Sequence, residues 1–173
     1  YKRCQNRWLK MSEIEYFIEP IFKINFFKMK CVNFKNKKVK IKKILDGYPE
    51  MPFGNFYSNR DKSQIRHDLI DIFYEEFLLI KTHIQHRPDV YNAWSVTYKK
   101  GDFHTVHNHG STGYCGILYL DMHKDSPATN YIQPWNDDND KTRIYCPEVE
   151  EGDIVIVPQF LYHFTEPNKI KYK

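Results

Sequence analysis

Apolar residues follow two different spacings along the chain, one in its middle and one towards its C-terminus. Between residues 65 and 80, isoleucine, leucine and phenylalanine recur every three or four positions, which predicts a helix with one apolar face. After Pro88, short apolar runs alternate with glycine and proline turns, which predicts strands at 94–98, 113–120, 128–133, 142–146, 153–157 and 161–165. Several short strands at such regular spacing are typical of a β-sandwich or jelly roll.

The N-terminal half has no such regular pattern. Residues 14–27 are apolar and aromatic but are interrupted by Pro20. Residues 37–45 alternate lysine with apolar residues, which suits a strand or a short helix. This half is therefore predicted to be a helical and mixed extension that supports the strands after it.

The composition restricts the class of protein only modestly. The 173 residues carry a formal net charge of +4, and 41% of them are hydrophobic, which is enough for one domain or one domain with an extension. No apolar run reaches membrane-spanning length, and no signal peptide is visible. Four cysteines without a CxxC spacing predict an intracellular protein. Met11 resembles a natural start, so we expect residues 1–10 to be upstream sequence or a remnant of something longer.

The positive charge is concentrated in a lysine-rich stretch at residues 35–43. One interpretation is a phosphate-binding patch for nucleic acid. The other is a solvated edge strand or hairpin whose lysines discourage pairing with other strands. No aromatic or glycine pattern of a nucleic-acid module accompanies these charges, so the sequence favours the second interpretation and does not favour specific nucleic-acid binding.

Three histidines are the best candidates for chemistry. His107 and His109 flank Asn108, and in an extended segment they would point to one face with Asn108 on the other. Far downstream, a Gly-Asp turn precedes a buried apolar strand that ends at Pro158, and the chain then turns back to His163. Two imidazoles from one strand and a third from a neighbour predict a metal site with open coordination positions.

The motifs in the C-terminal half resemble the double-stranded β-helix core of the Fe(II)/2-oxoglutarate-dependent oxygenases. The closest likeness is to the prolyl-hydroxylase-like group, including members from phages and other viruses. The matching motifs are Tyr98-Lys99-Lys100-Gly101, His104 in an aromatic position, His107-Asn108-His109, Leu118-Tyr119-Leu120-Asp121, the run from Gly152 to His163, and Lys173.

This resemblance implies a mainly β fold with N-terminal helices, a double-stranded β-helix of the jelly-roll, cupin-like type. Residues 1–90 would form the extension, and residues 91–173 the catalytic core with an incomplete last strand. The implied activity is hydroxylation of an unknown substrate (a small molecule, protein or nucleotide) with Fe(II), 2-oxoglutarate and O2. The implied location is the cytoplasm, that of the host cell if the protein is viral.

The resemblance also implies roles for particular residues. The metal ligands would be His107, His109 and His163, and the residues that bind 2-oxoglutarate would be Tyr98, Tyr119 and Lys173. For each tyrosine, the competing interpretation is that it is an ordinary core aromatic residue with a hydrated hydroxyl. For Lys173 it is a surface lysine.

One departure from the family pattern keeps two alternatives open. The family's second ligand is normally Asp or Glu, whereas this chain has His109, so the metal would carry a higher net charge. Cupins share the fold and a Gly-x5-His-x-His motif, which Gly101 to His109 fits. A three-histidine cupin that does not use 2-oxoglutarate is therefore one alternative, and a non-enzymatic jelly-roll structural or binding protein is the other. The sequence names neither the substrate nor the oligomeric state.

Overall fold

A computed structural model describes residues 8–11, 14–17, 24–60, 65–84 and 90–170 of the chain. The strands are β1 (Trp8–Met11), β2 (Ile14–Phe17), β3 (Phe27–Lys30), β4 (Met51–Phe53), β5 (Phe56–Ser58), β6 (Val96–Thr97), β7 (His104–His107), β8 (Tyr114–Leu118), β9 (Thr129–Asn136), β10 (Thr142–Tyr145), β11 (Asp153–Pro158) and β12 (His163–Thr165). The helices are α1 (Phe34–Leu45), α2 (Ile65–Ile70) and α3 (Tyr74–Lys81), and a 3₁₀ turn at Asp71–Phe73 joins the last two.

Two antiparallel sheets form the barrel. One has the strand order β10-β9-β12-β7, and the other has the order β3-β11-β8. A third small sheet, β4-β5-β6, adds the segment before the histidine motif, and β1 pairs only with β2. Apart from the consecutive pair β9 and β10, neighbouring strands in the two barrel sheets are distant in sequence, as in a jelly roll, where strands return across the barrel. The predicted mainly β jelly roll with N-terminal helices is confirmed.

Strand β11 is the centre of the structure, and alternation along it separates two apolar clusters. Val155 and Val157 pack with Tyr131 of the opposite sheet, which forms the inside of the barrel. Ile154 and Ile156 point the other way, into a cluster with Ile80 of α3. Because both faces of β11 are buried, its sequence reads as a continuous apolar run rather than an alternating one.

Gly152, at the turn that leads into β11, has to be glycine for two reasons. Its φ of +88° lies in the left-handed region, where residues with a Cβ are strained. A Cβ at this position would also lie 2.9 Å from a ring carbon of Phe34. The turn therefore brings α1 close against the start of β11.

The lysine-rich stretch is the helix α1, so the interpretation as an edge strand or hairpin is wrong. Lys37 is buried on this helix, and its ammonium group lies 2.7 Å from a carboxylate oxygen of Glu76 on α3. The Lys38 ammonium lies 2.7 Å from Asp121 and 2.6 Å from Glu151. The short helix that the alternation of lysine and apolar residues also suits is the structure observed, and the acidic partners of its lysines lie on other elements, far along the chain.

The helix predicted over residues 65–80 is present but interrupted, since α2 and α3 are separated by the 3₁₀ turn. The division of the chain at residue 90 stays a prediction. Strands before residue 90 pair with strands after it in two sheets, β3 with β11 and β5 with β6. None of the helices in the described ranges has the length and apolar character that crossing a membrane requires.

Candidate metal centre

The three histidines named from the sequence lie together at one end of the barrel. Strand β7 pairs with β12 so that His107 and His163 are directly opposite each other in the sheet. His109 follows two residues after His107, and its backbone N–H donates to the carbonyl of Gln159 at 3.0 Å. One ring nitrogen from each of the three histidines lies within 4.8 Å of the other two. This spacing suits three ligands around one ion.

Two of the three rings are oriented by main-chain carbonyls. Nδ1 of His107 lies 2.8 Å from the carbonyl oxygen of Thr105, and Nδ1 of His163 lies 2.9 Å from that of Leu161. A carbonyl only accepts, so each Nδ1 carries the proton and each Nε2 keeps a free lone pair. Metal-binding histidines commonly have this arrangement, in which one ring nitrogen donates to the protein and the other binds the metal.

The environment keeps His109 and His163 neutral. Burial lowers the pKa of His109 to about 4, with further contributions from His163 and His107. Burial also lowers the pKa of His163, although its hydrogen bond to the Leu161 carbonyl opposes the shift. Neutral imidazoles are the form that binds metal, so these two rings do not need to lose protons at neutral pH before an ion enters.

A fourth histidine, His104, packs beside the cluster. Its ring stacks on that of His107, with ring centroids 3.9 Å apart and an interplanar angle of 21°. Burial is the largest of the causes that lower the pKa of His104 to about 3. Nδ1 of His104 lies 3.2 Å from the hydroxyl of Tyr98, so this ring links the cluster to the barrel interior.

Three tyrosines lie near the histidines; Tyr131 is buried, and Tyr98 and Tyr119 are partly buried. Burial raises the pKa of Tyr98 to about 12 and also raises the pKa of Tyr119 and of Tyr131, so all three keep their phenolic protons. The hydroxyl of Tyr119 accepts a hydrogen bond from the backbone N–H of Thr129 at 3.3 Å, which leaves its own proton free to donate. The hydroxyl of Tyr131 is buried without a hydrogen-bond partner in the described part of the chain.

Tyr131 was not identified from the sequence. It lies opposite His163 in the pairing of β9 with β12, so His107, His163 and Tyr131 form one row across three strands. Its side chain is 2% exposed. A buried hydroxyl without a partner costs about 1–3 kcal/mol, so such a group is a candidate for contact with a ligand.

A cavity of about 230 Å³ opens beside the histidines. Its walls are formed by three histidines, two aromatic residues and two further polar residues, namely His104, His107, His109, Phe56, Trp94, Arg60 and Asn108. The chain leaves β7 after His107, so Asn108 lines the cavity with its two neighbours instead of pointing to the opposite face as predicted. The side-chain amide of Asn108 donates to the carbonyl of Phe160 at 3.4 Å.

The predicted site residues have separate outcomes. The structure brings His107, His109 and His163 together, and it leaves Tyr98 and Tyr119 partly buried, with Tyr98 beside His104 and Tyr119 in the apolar cluster of Tyr131. Lys173 lies outside the described residues. Sequence reasoning missed Tyr131 and Arg60, and the only signal for either of them is the strand order, which the sequence does not contain.

The donor set fits a divalent transition metal. Three neutral nitrogen ligands on one side of an ion leave the other positions open for small molecules, which is an arrangement suited to chemistry and not to a closed structural site. Among the described residues, this is the only cluster of three or more potential ligands that meets the spacing for a metal ion, and it contains no carboxylate. The buried hydroxyl of Tyr131 further suits a ligand that brings acceptor oxygens into the interior.

Comparisons with known proteins agree with this geometry. Residues 92–173 match the model of a family described as "Putative 2OG-Fe(II) oxygenase". No curated protein matches the chain.

Similar solved structures share the fold at low sequence identity. An oxidoreductase of the 2OG-Fe(II) oxygenase family from Burkholderia pseudomallei has a TM-score of 0.64 and 9% identity, over 84% of this chain and 79% of that one. The non-heme alpha-ketoglutarate-dependent carbocyclase SnoK from nogalamycin biosynthesis has a TM-score of 0.63 and 10% identity, over 85% and 75%. A prolyl-4-hydroxylase from Pseudomonas putida has a TM-score of 0.54 and 10% identity, over 84% and 87%.

Proposed function

We propose, from the match of residues 92–173 to the 2OG-Fe(II) oxygenase family model, that this protein oxidises a substrate with Fe(II), 2-oxoglutarate and O2. The observation that carries the proposal is the cluster of His107, His109 and His163 at the end of a jelly-roll barrel, inside the matched segment. The reaction class is hydroxylation or a related oxidation of a C–H bond. The identity of the substrate is a separate question.

The three histidines are proposed to hold the iron through one ring nitrogen each. When bound, iron and 2-oxoglutarate together supply the oxidising power, because the cosubstrate is decarboxylated as O2 is reduced. The chain's own contribution is to fix the ligands and to exclude water. The carbonyls of Thr105 and Leu161 orient two of the rings, and the aromatic rings of Phe56 and Trp94 form an apolar wall beside the site.

The tyrosines are proposed to bind the carboxylates of 2-oxoglutarate. Tyr98 and Tyr119 have phenols that stay protonated, and a phenol that donates to a carboxylate makes a charge-assisted hydrogen bond. Tyr131 joins this set because its buried hydroxyl lacks a partner among the described residues. Lys173 is proposed to pair with the far carboxylate of the cosubstrate, as the family pattern implies.

The replacement of the usual carboxylate ligand by His109 changes the charge of the site and not its ability to bind the cosubstrate. Three neutral imidazoles leave the full double positive charge on the ion, whereas a carboxylate would offset part of it. A dianionic cosubstrate then neutralises the site when it binds. We therefore expect 2-oxoglutarate to bind the metal-loaded protein far more tightly than the metal-free protein.

The test is a metal analysis followed by a cosubstrate titration. Protein purified without added metal is analysed for bound metals, loaded with Fe(II) under anaerobic conditions, and titrated with 2-oxoglutarate by calorimetry. Saturable binding of one equivalent, followed by formation of succinate when O2 is admitted, supports the proposal. A protein that binds iron but no 2-oxoglutarate would contradict it.

That last outcome would favour the second candidate, a three-histidine cupin enzyme. The specific observation in its favour is that the histidine cluster contains no carboxylate. A cupin of this kind binds its metal through the same three residues, so metal binding alone does not distinguish the two candidates. The titration with 2-oxoglutarate does.

We also propose the cytoplasm as the location, that of the host cell if the protein is viral. The support is that Cys31, Cys115 and Cys146 are free thiols in the structure, as is usual in a reducing compartment. The likeness to phage and other viral members stays a prediction. So does the expectation that specific nucleic-acid binding is absent, although the ion pairs of Lys37, Lys38 and Lys42 with acidic residues reduce the charge that α1 can offer.

A further inference from the structure

Arg60 is an exposed residue whose positive charge lines the cavity beside the histidines. No carboxylate in the described residues lies within ion-pair distance of its guanidinium group. None of the other residues lining the cavity is acidic either. An arginine in this position can bind an anion brought by a ligand.

Arg60 is held in place by aromatic rings and by its backbone. Its guanidinium carbon lies 4.7 Å from the ring centroid of Phe53 and 5.9 Å from that of Trp94. Its backbone N–H donates to the hydroxyl of Ser58 at 3.2 Å, and that hydroxyl donates to the carbonyl of Ser95 at 2.9 Å. Stacking on aromatic rings leaves the edge of the guanidinium, with its N–H groups, available for a ligand.

Two aromatic residues, Phe56 and Trp94, form the apolar part of the cavity wall and contact histidines directly. The ring centroid of Phe56 lies 4.2 Å from that of His104, and the centroid of Trp94 lies 5.4 Å from that of His109. A ligand lying against these two rings would therefore have its body beside the histidine cluster and its charged group at Arg60.

The proposed cosubstrate contacts leave Arg60 without a role in binding 2-oxoglutarate. The proposed partner of the far carboxylate is Lys173, and the proposed donors to the carboxylates are the tyrosines, which are not among the residues lining this cavity. Arg60 is therefore available to bind a different molecule.

We infer that the oxidised substrate is an anion, a carboxylate or a phosphate monoester with an apolar body, and that Arg60 binds its charged group. This inference rests on the proposed oxygenase function, since it assigns the substrate class of the same site. Phe56 and Trp94 hold the apolar body against the metal centre. Asn108 is the remaining polar group of the cavity and can donate to the same ligand.

The test compares three small probes of similar shape, namely phenylacetate, phenyl phosphate and the neutral phenylacetamide. Each is titrated by calorimetry into the anaerobic Fe(II) protein with saturating 2-oxoglutarate. At least one of the anions should bind about tenfold or more tightly than the amide, because a charge-assisted bond to arginine distinguishes them. The preferred anion identifies the substrate as a carboxylate or a phosphate monoester.

Two arginine variants locate the effect. Arg60→Gln should lose the preference for the anion, whereas Arg143→Gln, an exposed arginine on β10, should keep it. Affinity for 2-oxoglutarate should be the same in both variants and in the wild type. Folding of each variant is checked by its unfolding midpoint.

Several results would overturn the inference. They are equal binding of amide and anions by the wild type, no binding of either anion, or an anion preference that survives Arg60→Gln. A loss of 2-oxoglutarate affinity in Arg60→Gln would assign Arg60 to the cosubstrate instead. A wild type that binds no 2-oxoglutarate would contradict the oxygenase function separately, and the titrations repeated with Fe(II) alone would still decide whether Arg60 selects anions.

Discussion

The two faces of the sheet containing β11 differ in whether the buried polar groups packed against them have partners. On the helix side, Lys37 and Glu76 are both buried, and each is paired with the other; Glu76 also accepts from the backbone N–H of Val32 at 2.7 Å. On the barrel side, Tyr131 is equally buried, but its hydroxyl has no partner among the described residues. Lys37 and Glu76 therefore have their partners without a ligand, whereas a ligand would supply the partner that the hydroxyl of Tyr131 lacks.

The same contrast applies to charge. The helix side balances each buried charge with an opposite one, which stabilises the packing of α1 and α3. The histidine end has several titratable rings kept neutral by burial and an arginine without an acidic partner in the described chain. Buried polar groups whose partners are all present indicate a structural role, and those that lack partners indicate where a ligand binds.

The largest effect is expected from removing a ligand of the metal centre. His107→Ala and His163→Ala should each abolish stoichiometric iron binding, because two imidazoles are left to hold the ion. Both variants should stay folded, since the barrel core is formed by apolar residues. The measurement is iron content after anaerobic loading and desalting, together with the far-ultraviolet circular dichroism spectrum.

His123→Ala is the matched control, because His123 is half exposed and outside the histidine cluster. It should bind iron as the wild type does. Unchanged iron content in both His107→Ala and His163→Ala would exclude this cluster as the metal site.

The next largest effect is expected on the helix side, and it concerns stability instead of binding. Glu76→Gln leaves the buried ammonium of Lys37 without its close partner, and breaking a buried ion pair in this way costs about 3–5 kcal/mol of unfolding free energy. Glu75→Gln is the control, since Glu75 is the exposed partner of the same lysine and such pairs contribute about 0–1 kcal/mol. Urea unfolding of both variants provides the measurement, and equal losses would contradict the contrast drawn between the two faces.

These two regions also differ in how far the sequence predicts them. The metal ligands could be found because HxH and a distant histidine after a buried strand are local patterns. For α1 the sequence could not decide between a strand and a short helix, because the acidic partners of its lysines, Glu76, Asp121 and Glu151, are not local in the chain. Pairing of this kind depends on tertiary contacts between residues that are far apart in the chain.

Tyr131 and Arg60 could not be predicted for a similar reason. Tyr131 belongs to the site only because β9 lies next to β12, an order that several short strands of similar character do not determine. Arg60 belongs to it because β5 pairs with β6, just after Trp94, in a sheet formed from both halves of the chain. The local motifs thus identified the three histidines of the candidate metal centre, and the strand order supplied the groups around them.

A third prediction concerns the effect of pH on the metal-free protein. The pKa of His109 in the folded state is about 4, below its ordinary value of 6.5, so the unfolded chain binds more protons between these values. The contribution to stability is therefore fully present above the ordinary value and is lost as the pH falls towards the folded value. The lowered pKa values of His104 and His163 act in the same direction.

The measurement is urea unfolding of the metal-free protein in the presence of a chelator, at about pH 7.5 and about pH 5. Wild type should be less stable at the lower pH, and His109→Asn should show a smaller difference because one of the titrating groups is gone. His123→Asn should behave as wild type. Because the rings of His104 and His109 are only partly buried, we expect the pH-dependent loss of unfolding free energy to be smaller than the loss caused by Glu76→Gln. An identical pH dependence in His109→Asn and wild type would contradict the assignment.

The smallest effect is expected from Tyr131→Phe, and it separates the two roles that a buried polar group can have. If the hydroxyl serves a ligand, its removal relieves an unsatisfied group, so the metal-free protein should be as stable as wild type or more stable by about 1 kcal/mol. The same variant should bind 2-oxoglutarate about tenfold more weakly in its iron-loaded form, because one charge-assisted hydrogen bond is lost. Iron binding should be unaffected, since the phenol is not a proposed ligand. Tyr145→Phe, on the exposed side of β10, should change neither quantity. Reduced stability with unchanged affinity for 2-oxoglutarate would mean that Tyr131 belongs with Glu76 among the structural groups. The histidines, without Tyr131, would then be what distinguishes the barrel side from the helix side.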